Sequence, residues 1–159
     1  FKKMKKVFLS LLLVGIAFSF SSCIKDGICK DKTPSSEEGT ILNYASTHGI
    51  TATAHSSGIY YQIITQGTGP APTATSLVKV NYKGRLMNDQ IFDQTTTDPA
   101  GPYTLNSLIK GWQIGLPLIN EGGKIRLIIP SSLGYGCKGY GPVPSNSVLY
   151  FEIDLVDVL

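Results

Sequence analysis

From about residue 58 onward the chain alternates apolar and polar side chains in short runs, the period-two signature of strands with one buried face. Val78, Val80 and Tyr82 alternate with Lys79, Asn81 and Lys83. Ile125, Leu127 and Ile129 share a face, with Arg126 on the other, until Pro130 stops the ladder. Leu149, Phe151, Ile153 and Leu155 lie opposite Glu152 and Asp154. Ile59-Tyr60-Tyr61-Gln62-Ile63-Ile64 is aromatic and β-branched and closes on turn residues from Gln66 to Pro70, while Ile91-Phe92-Asp93 supplies a short partner strand after an Asn88-Asp89 turn. Two segments change period. Ser35 and Glu38 form an S-x-x-E capping box ahead of Ile41, Leu42 and Ala45, which predicts a short amphipathic helix running to His48 and ended by Gly49. This helix either packs on the domain or pairs with a second copy. A further short helix is expected over roughly Leu105 to Leu116, limited by Pro117 and Gly122-Gly123. The pattern predicts an α+β domain: five antiparallel strands, one short helix held in the concave face of the sheet, and an extra N-terminal helix.

The first 22 residues read differently. Lys5-Lys6, the apolar run Val7 to Phe20 and then Ser21-Ser22-Cys23 have the order of a bacterial export signal. A helix over that run would cover about 21 Å, short of the roughly 30 Å hydrocarbon core, so cleavage is expected rather than a spanning helix. Phe20-Ser21-Ser22-Cys23 resembles the lipobox of bacterial lipoproteins, although Phe20 stands where Leu is usual, and secretory cleavage nearby is the competing reading. The resemblance implies a lipid on Cys23 that tethers the protein to a membrane. Ile24 after it shows no inner-membrane retention signal, so the expected location is the cell envelope, by default the outer membrane, facing periplasm or cell surface. Met4 is the expected start of translation. The domain organisation is then a signal peptide over 1–22, a polar tether over 23–34, a helix and linker over 35–57, and one folded domain over 58–159.

Charge removes one class of partner. The formal charge of +3 over 159 residues comes from lysines in the leader, and residues 23–159 hold 10 Lys and Arg against 11 Asp and Glu. A nearly neutral chain without a basic stripe lacks the electrostatic footprint of a nucleic-acid binder. With Cys23 lipidated, Cys29 and Cys137 are expected to remain free thiols, one in the tether and one in a glycine-rich loop; the alternative is a bridge formed in an oxidising periplasm. His48 and His55 have no cysteine or carboxylate partner at ligand spacing, so no metal site is expected. No Ser-His-Asp or Cys-His arrangement supports hydrolysis. Gly134-x-Gly136-x-x-Gly139 matches a dinucleotide fingerprint in form only, because Gly141, Pro142 and Pro144 forbid the helix that would hold a pyrophosphate.

The remaining motifs follow a familiar order. Val78 to Gly84, Ile91-Phe92-Asp93, Leu108-Ile109-Lys110-Gly111-Trp112, Gly134-Tyr135-Gly136 and Leu149-Tyr150-Phe151 resemble, in sequence and spacing, the FKBP-type peptidyl-prolyl cis-trans isomerases over about residues 58 to 159. That resemblance implies a half-barrel sheet around one short helix. It implies a pocket walled by Tyr82, Phe92, Tyr103, Leu108, Ile109 and Phe151, floored by Trp112, with Asp93, the Tyr135 hydroxyl and the Ile109 N–H as its polar members. Asp93, Tyr135, Phe92 and Trp112 are the implied catalytic set, and Tyr140 and Val143 in the loop above join the substrate-binding residues. It further implies no cofactor, proline-containing polypeptides as substrates, and macrolides as a further ligand class. Tyr103 replaces the usual Phe, the segment before Leu108 is shortened, and Tyr140 falls near a position often held by His. These departures bear on ligand preference. A proline-segment-binding chaperone or envelope interaction module with little turnover is the competing function.

Overall fold

A computed structural model describes residues 29–159 apart from residue 97; the expected signal peptide and the lipidation site at Cys23 lie outside the described residues. The elements run α1 (Pro34–Thr47), β1 (Thr53–Ala54), β2 (Tyr60–Thr65), β3 (Leu77–Leu86), β4 (Ile91–Gln94), β5 (Ala100–Thr104), α2 (Lys110–Gly115), β6 (Lys124–Ile129) and β7 (Leu149–Val158). The sheet is antiparallel, in the order β1-β2-β6-β7-β3-β4, with β5 added to β3 beyond this path. It therefore has seven strands rather than the expected five. The two additional strands are β1, only two residues long, and β5, which carries Gly101-Pro102. Neither offers the apolar alternation by which a strand is read.

The long central strands keep the expected register. Tyr82 faces Ile153, Gly84 faces Phe151 and Leu86 faces Leu149 along β3 and β7. Ile125, Leu127 and Ile129 of β6 and Leu149, Phe151, Ile153 and Leu155 of β7 point into one core, where each apolar side chain contributes about 1.5–3 kcal/mol by leaving water. The second helix is shorter than expected. Leu105–Ser107 form a 3-10 turn, Leu108 and Ile109 are extended, and only Lys110–Gly115 is α-helical before another 3-10 turn at Leu116–Leu118. Glycines let α2 lie directly on the sheet: a Cβ on Gly111 would come 2.5 Å from Ile129, and one on Gly115 2.5 Å from Leu127.

The other face of the sheet is also covered. Ile41, Tyr44 and Ala45 of α1 pack with Ile50, Tyr60, Ile128, Val148 and Tyr150 in a second core. This explains the unbroken Leu127-Ile128-Ile129 run: a strand buried on both faces loses its polar alternation, and Ile128 is only 1% exposed on the α1 side. Leu42, expected on the apolar face of α1, lies on the opposite side and is 46% exposed. The predicted capping box does not form. Thr33 is the N-cap with Pro34 at the first helical position, and Glu38 instead accepts the Tyr60 hydroxyl at 2.6 Å. At the other end, Asp89 in the β3–β4 turn accepts the Tyr44 hydroxyl at 2.8 Å and lies 3.0 Å from His48 Nε2, a carboxylate partner that sequence spacing does not reveal.

The expectation of free thiols is overturned. Cys29 and Cys137 are joined in a disulfide across 108 positions, with Cα atoms 5.4 Å apart. The described end of the expected tether is thus fastened to the domain. The pairing became possible because β6 and the loop after it return beside the start of α1, a proximity that no local pattern encodes.

Candidate active site

The concave face of the sheet and the chain around α2 enclose a hollow of about 240 Å³ lined by Tyr82, Asp93, Tyr103, Leu108, Ile109, Trp112, Tyr135 and Phe151. Five elements meet there. β3 supplies Tyr82, β4 Asp93, β5 Tyr103, α2 Trp112 and β7 Phe151, while Leu108 and Ile109 precede α2 and Tyr135 stands in the loop after β6. Period-two pleating turns Tyr82 and Phe151 to the same side as their buried neighbours Val80 and Ile153.

Aromatic packing fixes the floor. The Trp112 indole is 4% exposed and meets Tyr82 at 5.2 Å and 82°, and Phe151 at 5.2 Å and 85°. Such edge-on pairs add about 0.5–1.5 kcal/mol each beyond burial and leave little freedom to tilt. The indole Nε1–H is buried without a hydrogen-bond partner among the described residues. Phe92, expected in the wall, stands behind it: its ring meets Phe151 edge-on at 5.4 Å and 86°, and it does not line the hollow. Val143, expected among the substrate-binding residues of the loop above, is buried in the main core and does not line the hollow. Tyr140 stacks on Tyr135 at 5.4 Å and 17° and is 72% exposed, outside the cavity.

The polar groups are few and differently engaged. The Tyr82 hydroxyl donates to Asp93 Oδ2 at 2.7 Å. Burial, then the bond to Asp93, push the Tyr82 phenol well above the ordinary tyrosine range, so it remains a donor. Burial, reinforced by the charges of Asp93 and Tyr140, also raises Tyr135. Its hydroxyl has no protein partner among the described residues, and neither does the Ile109 N–H. Two donors are left free at the edge of an apolar hollow. By contrast, the larger hollow of about 620 Å³ on the outward face is lined by charged groups including Lys83, Lys124, Arg126, Glu152 and Asp154, and does not suit an apolar ring.

Comparison with known proteins identifies the family of the domain. The family model described as FKBP-type peptidyl-prolyl cis-trans isomerase matches residues 69–156. The chain belongs to this family. Among its FKBP relatives, FkpA of Escherichia coli strain K12 is 43% identical over 105 residues, which cover 65% of this chain and 38% of that protein. A probable FKBP-type isomerase of Haemophilus influenzae is 38% identical over 125 residues, 77% of this chain and 52% of the relative. The chain therefore spans about two-fifths to half of these FKBP relatives. Among solved structures, a peptidyl-prolyl cis-trans isomerase from Pseudomonas syringae superposes with a TM-score of 0.68 at 36% identity, covering 79% of this chain and 92% of that one. The crystal structure of FkpA from Escherichia coli gives 0.69 at 36% identity, covering 79% and 60%.

Every residue lining the hollow is one to which the FKBP resemblance points. What sequence reasoning missed lies behind the wall: Gly84, where a Cβ would meet both Phe92 and Phe151 at 2.7 Å, and the segment from Cys29 to Asp31 on the loop carrying Tyr135. Only the first had a signal, a glycine interrupting an otherwise strand-like run.

Proposed function

We propose that the domain catalyses cis–trans interconversion of X-Pro bonds in polypeptides by binding the twisted imide in the aromatic hollow. The observation that carries this reading is the combination of a perpendicular Tyr82–Trp112–Phe151 cradle with two unengaged donors, the Tyr135 hydroxyl and the Ile109 N–H. Rotation about the imide sacrifices amide resonance and faces a barrier near 18–20 kcal/mol, yet no bond is made or broken. Catalysis then needs only tighter binding of the twisted form than of either planar isomer.

The chain's own residues supply this in three ways. The planar imide has the larger dipole and is better solvated by water, so a dry wall of Tyr82, Trp112 and Phe151 disfavours it relative to the twisted form. The prolyl ring rests on the Trp112 indole, whose tilt is fixed by its two edge-on neighbours. The Tyr135 hydroxyl and Ile109 N–H hold the carbonyl. Asp93 keeps Tyr82 in place through the 2.7 Å bond. A 10⁵-fold acceleration requires about 7 kcal/mol, within reach of orientation plus desolvation without covalent help. NMR exchange between the cis and trans signals of a proline peptide tests this directly: the full chain accelerates exchange, and combined Phe92→Ala and Trp112→Ala replacement removes the acceleration. Unchanged exchange in that variant would refute the mechanism.

Tyr140 is the observation favouring a second reading, a chaperone or interaction module that grips proline-containing segments with little turnover. A largely exposed ring beside the cavity mouth can hold a flanking side chain without affecting the imide. Peptide binding without exchange enhancement would favour that reading. We further propose that the domain works on exported proteins at the cell envelope, tethered through lipid on Cys23. The Cys29–Cys137 disulfide supports the location, since such bonds persist in oxidising compartments. Mass spectrometry of the membrane fraction, with and without Cys23→Ser, tests the anchor.

A further inference from the structure

The loop carrying Tyr135 is held from outside the sheet by the residues that precede and open α1. Cys29 is bonded to Cys137. Two positions on, Asp31 Oδ1 accepts the Cys137 N–H at 2.7 Å. The same carboxylate fills the space beside Gly136: φ there is +61°, and a Cβ would stand 2.6 Å from Asp31 Oδ1. In the first turn of α1, Glu37 is 3% exposed and accepts the buried Ser131 N–H through Oε2 at 2.8 Å. The fastenings fall at 131, 136 and 137 and so bracket Tyr135.

This matters because Tyr135 stands in a loop rather than on a strand, half-buried against the main core between 3-10 turns at Ser131–Leu133 and Gly136–Lys138. It stands between Gly134 and Gly136, whose missing side chains leave the backbone the widest choice of conformations. Its hydroxyl bonds to no protein group among the described residues, and its stacking partner Tyr140 is itself largely exposed. Within the loop itself, the Gly134 N–H donates to the Ser131 carbonyl at 3.0 Å, and the Asn146 N–H donates to the Gly136 carbonyl at 2.9 Å, so the backbone is closed on either side of Tyr135 while its side chain is left to its packing. A donor must be held in place before the substrate arrives if it is to favour one geometry of the imide.

We propose that residues 29–37 form a strap that positions the Tyr135 hydroxyl over the cavity, with Cys29 and Asp31 as positioning residues for prolyl isomerisation. The proposal rests on the isomerase reading of the cavity. Since the strap acts through one neutral hydroxyl, releasing it costs no more than deleting that hydroxyl, about 2- to 13-fold in kcat/KM.

A double-mutant cycle on the full chain tests it. Asp31→Ala, Asp31→Asn and the pair Cys29→Ser with Cys137→Ser are each made alone and together with Tyr135→Phe, and kcat and KM are measured on a proline peptide by NMR exchange. Asp31→Ala and the cysteine pair lower kcat within that range, with KM little changed, and cause no further loss once Tyr135→Phe is present. Asp31→Asn, which keeps an acceptor oxygen, retains activity. Should the cysteine pair fail to fold, Asp31→Ala, which keeps the disulfide, carries the test. Equal losses with and without Tyr135→Phe, or no loss at all, overturn the strap alone. A wild-type chain that does not accelerate exchange overturns the isomerase reading and the strap together.

Discussion

Tyr135→Phe isolates a single donor. The change removes one oxygen and leaves the ring that stacks on Tyr140 at 5.4 Å. In the free protein that oxygen bonds to no other group among the described residues, so its deletion orphans nothing and should alter stability by no more than about 0.5 kcal/mol. In the transition state it would donate to the imide carbonyl as a neutral phenol, because burial holds its proton far into the alkaline range. A neutral hydrogen bond contributes about 0.5–1.5 kcal/mol net, which at 1.36 kcal/mol per decade is a loss of about 2- to 13-fold in kcat/KM. NMR exchange or a protease-coupled assay on a proline peptide measures the loss, and urea unfolding measures the stability. Unchanged kcat/KM would mean that the hydroxyl does not reach the imide. A fall in stability of several kcal/mol would mean that it serves the fold.

Gly111→Ala places a methyl against Ile129 where α2 touches β6, and overpacking should lower stability by about 1–3 kcal/mol in urea unfolding, with peptide affinity falling as the Trp112 floor lifts. Reducing the Cys29–Cys137 bond releases a closure across 108 positions; the chain-entropy account gives a loss of up to about 4–5 kcal/mol, read as a lower unfolding midpoint in reductant. The His48–Asp89 contact should make anchoring of α1 pH-dependent. His48 is raised above its ordinary value, first by its contact with the Tyr44 carbonyl and then by Asp89, against opposing influences from desolvation and from Arg85. Its contribution is fully present below about pH 6.5 and is lost as pH rises through the elevated value. Asp89 is lowered by Tyr44 and His48, so its part is present above the usual carboxylate range and is lost only in stronger acid. Unfolding across pH 5 to 9 checks the sign, and His48→Gln should flatten the alkaline limb.

Legibility in the sequence followed the range of the interaction. β3, β6 and β7 can be read because alternation is a local signal, and the eight residues around the hollow because the family resemblance points to each of them, although they come from β3, β4, β5, α2 and the turn before it, the loop after β6, and β7. β5 could not, since Gly101-Pro102 reads as a turn; its place on β3 depends on a partner that supplies the missing pattern. Ser35 and Glu38 have capping spacing, but Pro34 sets the helix start two residues earlier and Glu38 finds the Tyr60 hydroxyl. The family resemblance points to Phe92 in the wall and Val143 in the loop above it, whereas the pleat and the loop turn both into the packing behind the hollow. The disulfide and the Asp31 contact join segments more than a hundred positions apart, and no neighbouring residue announces them.

With α1 on one side and the cradle on the other, the Leu127–Ile129 end of β6 and the Leu149–Phe151 end of β7 are shielded on both faces. Their amides should exchange with deuterium only through global opening, whereas those of the Gly136 to Ser145 loop should exchange through local fluctuations. The part of the sheet beneath the cavity should then stay folded throughout turnover.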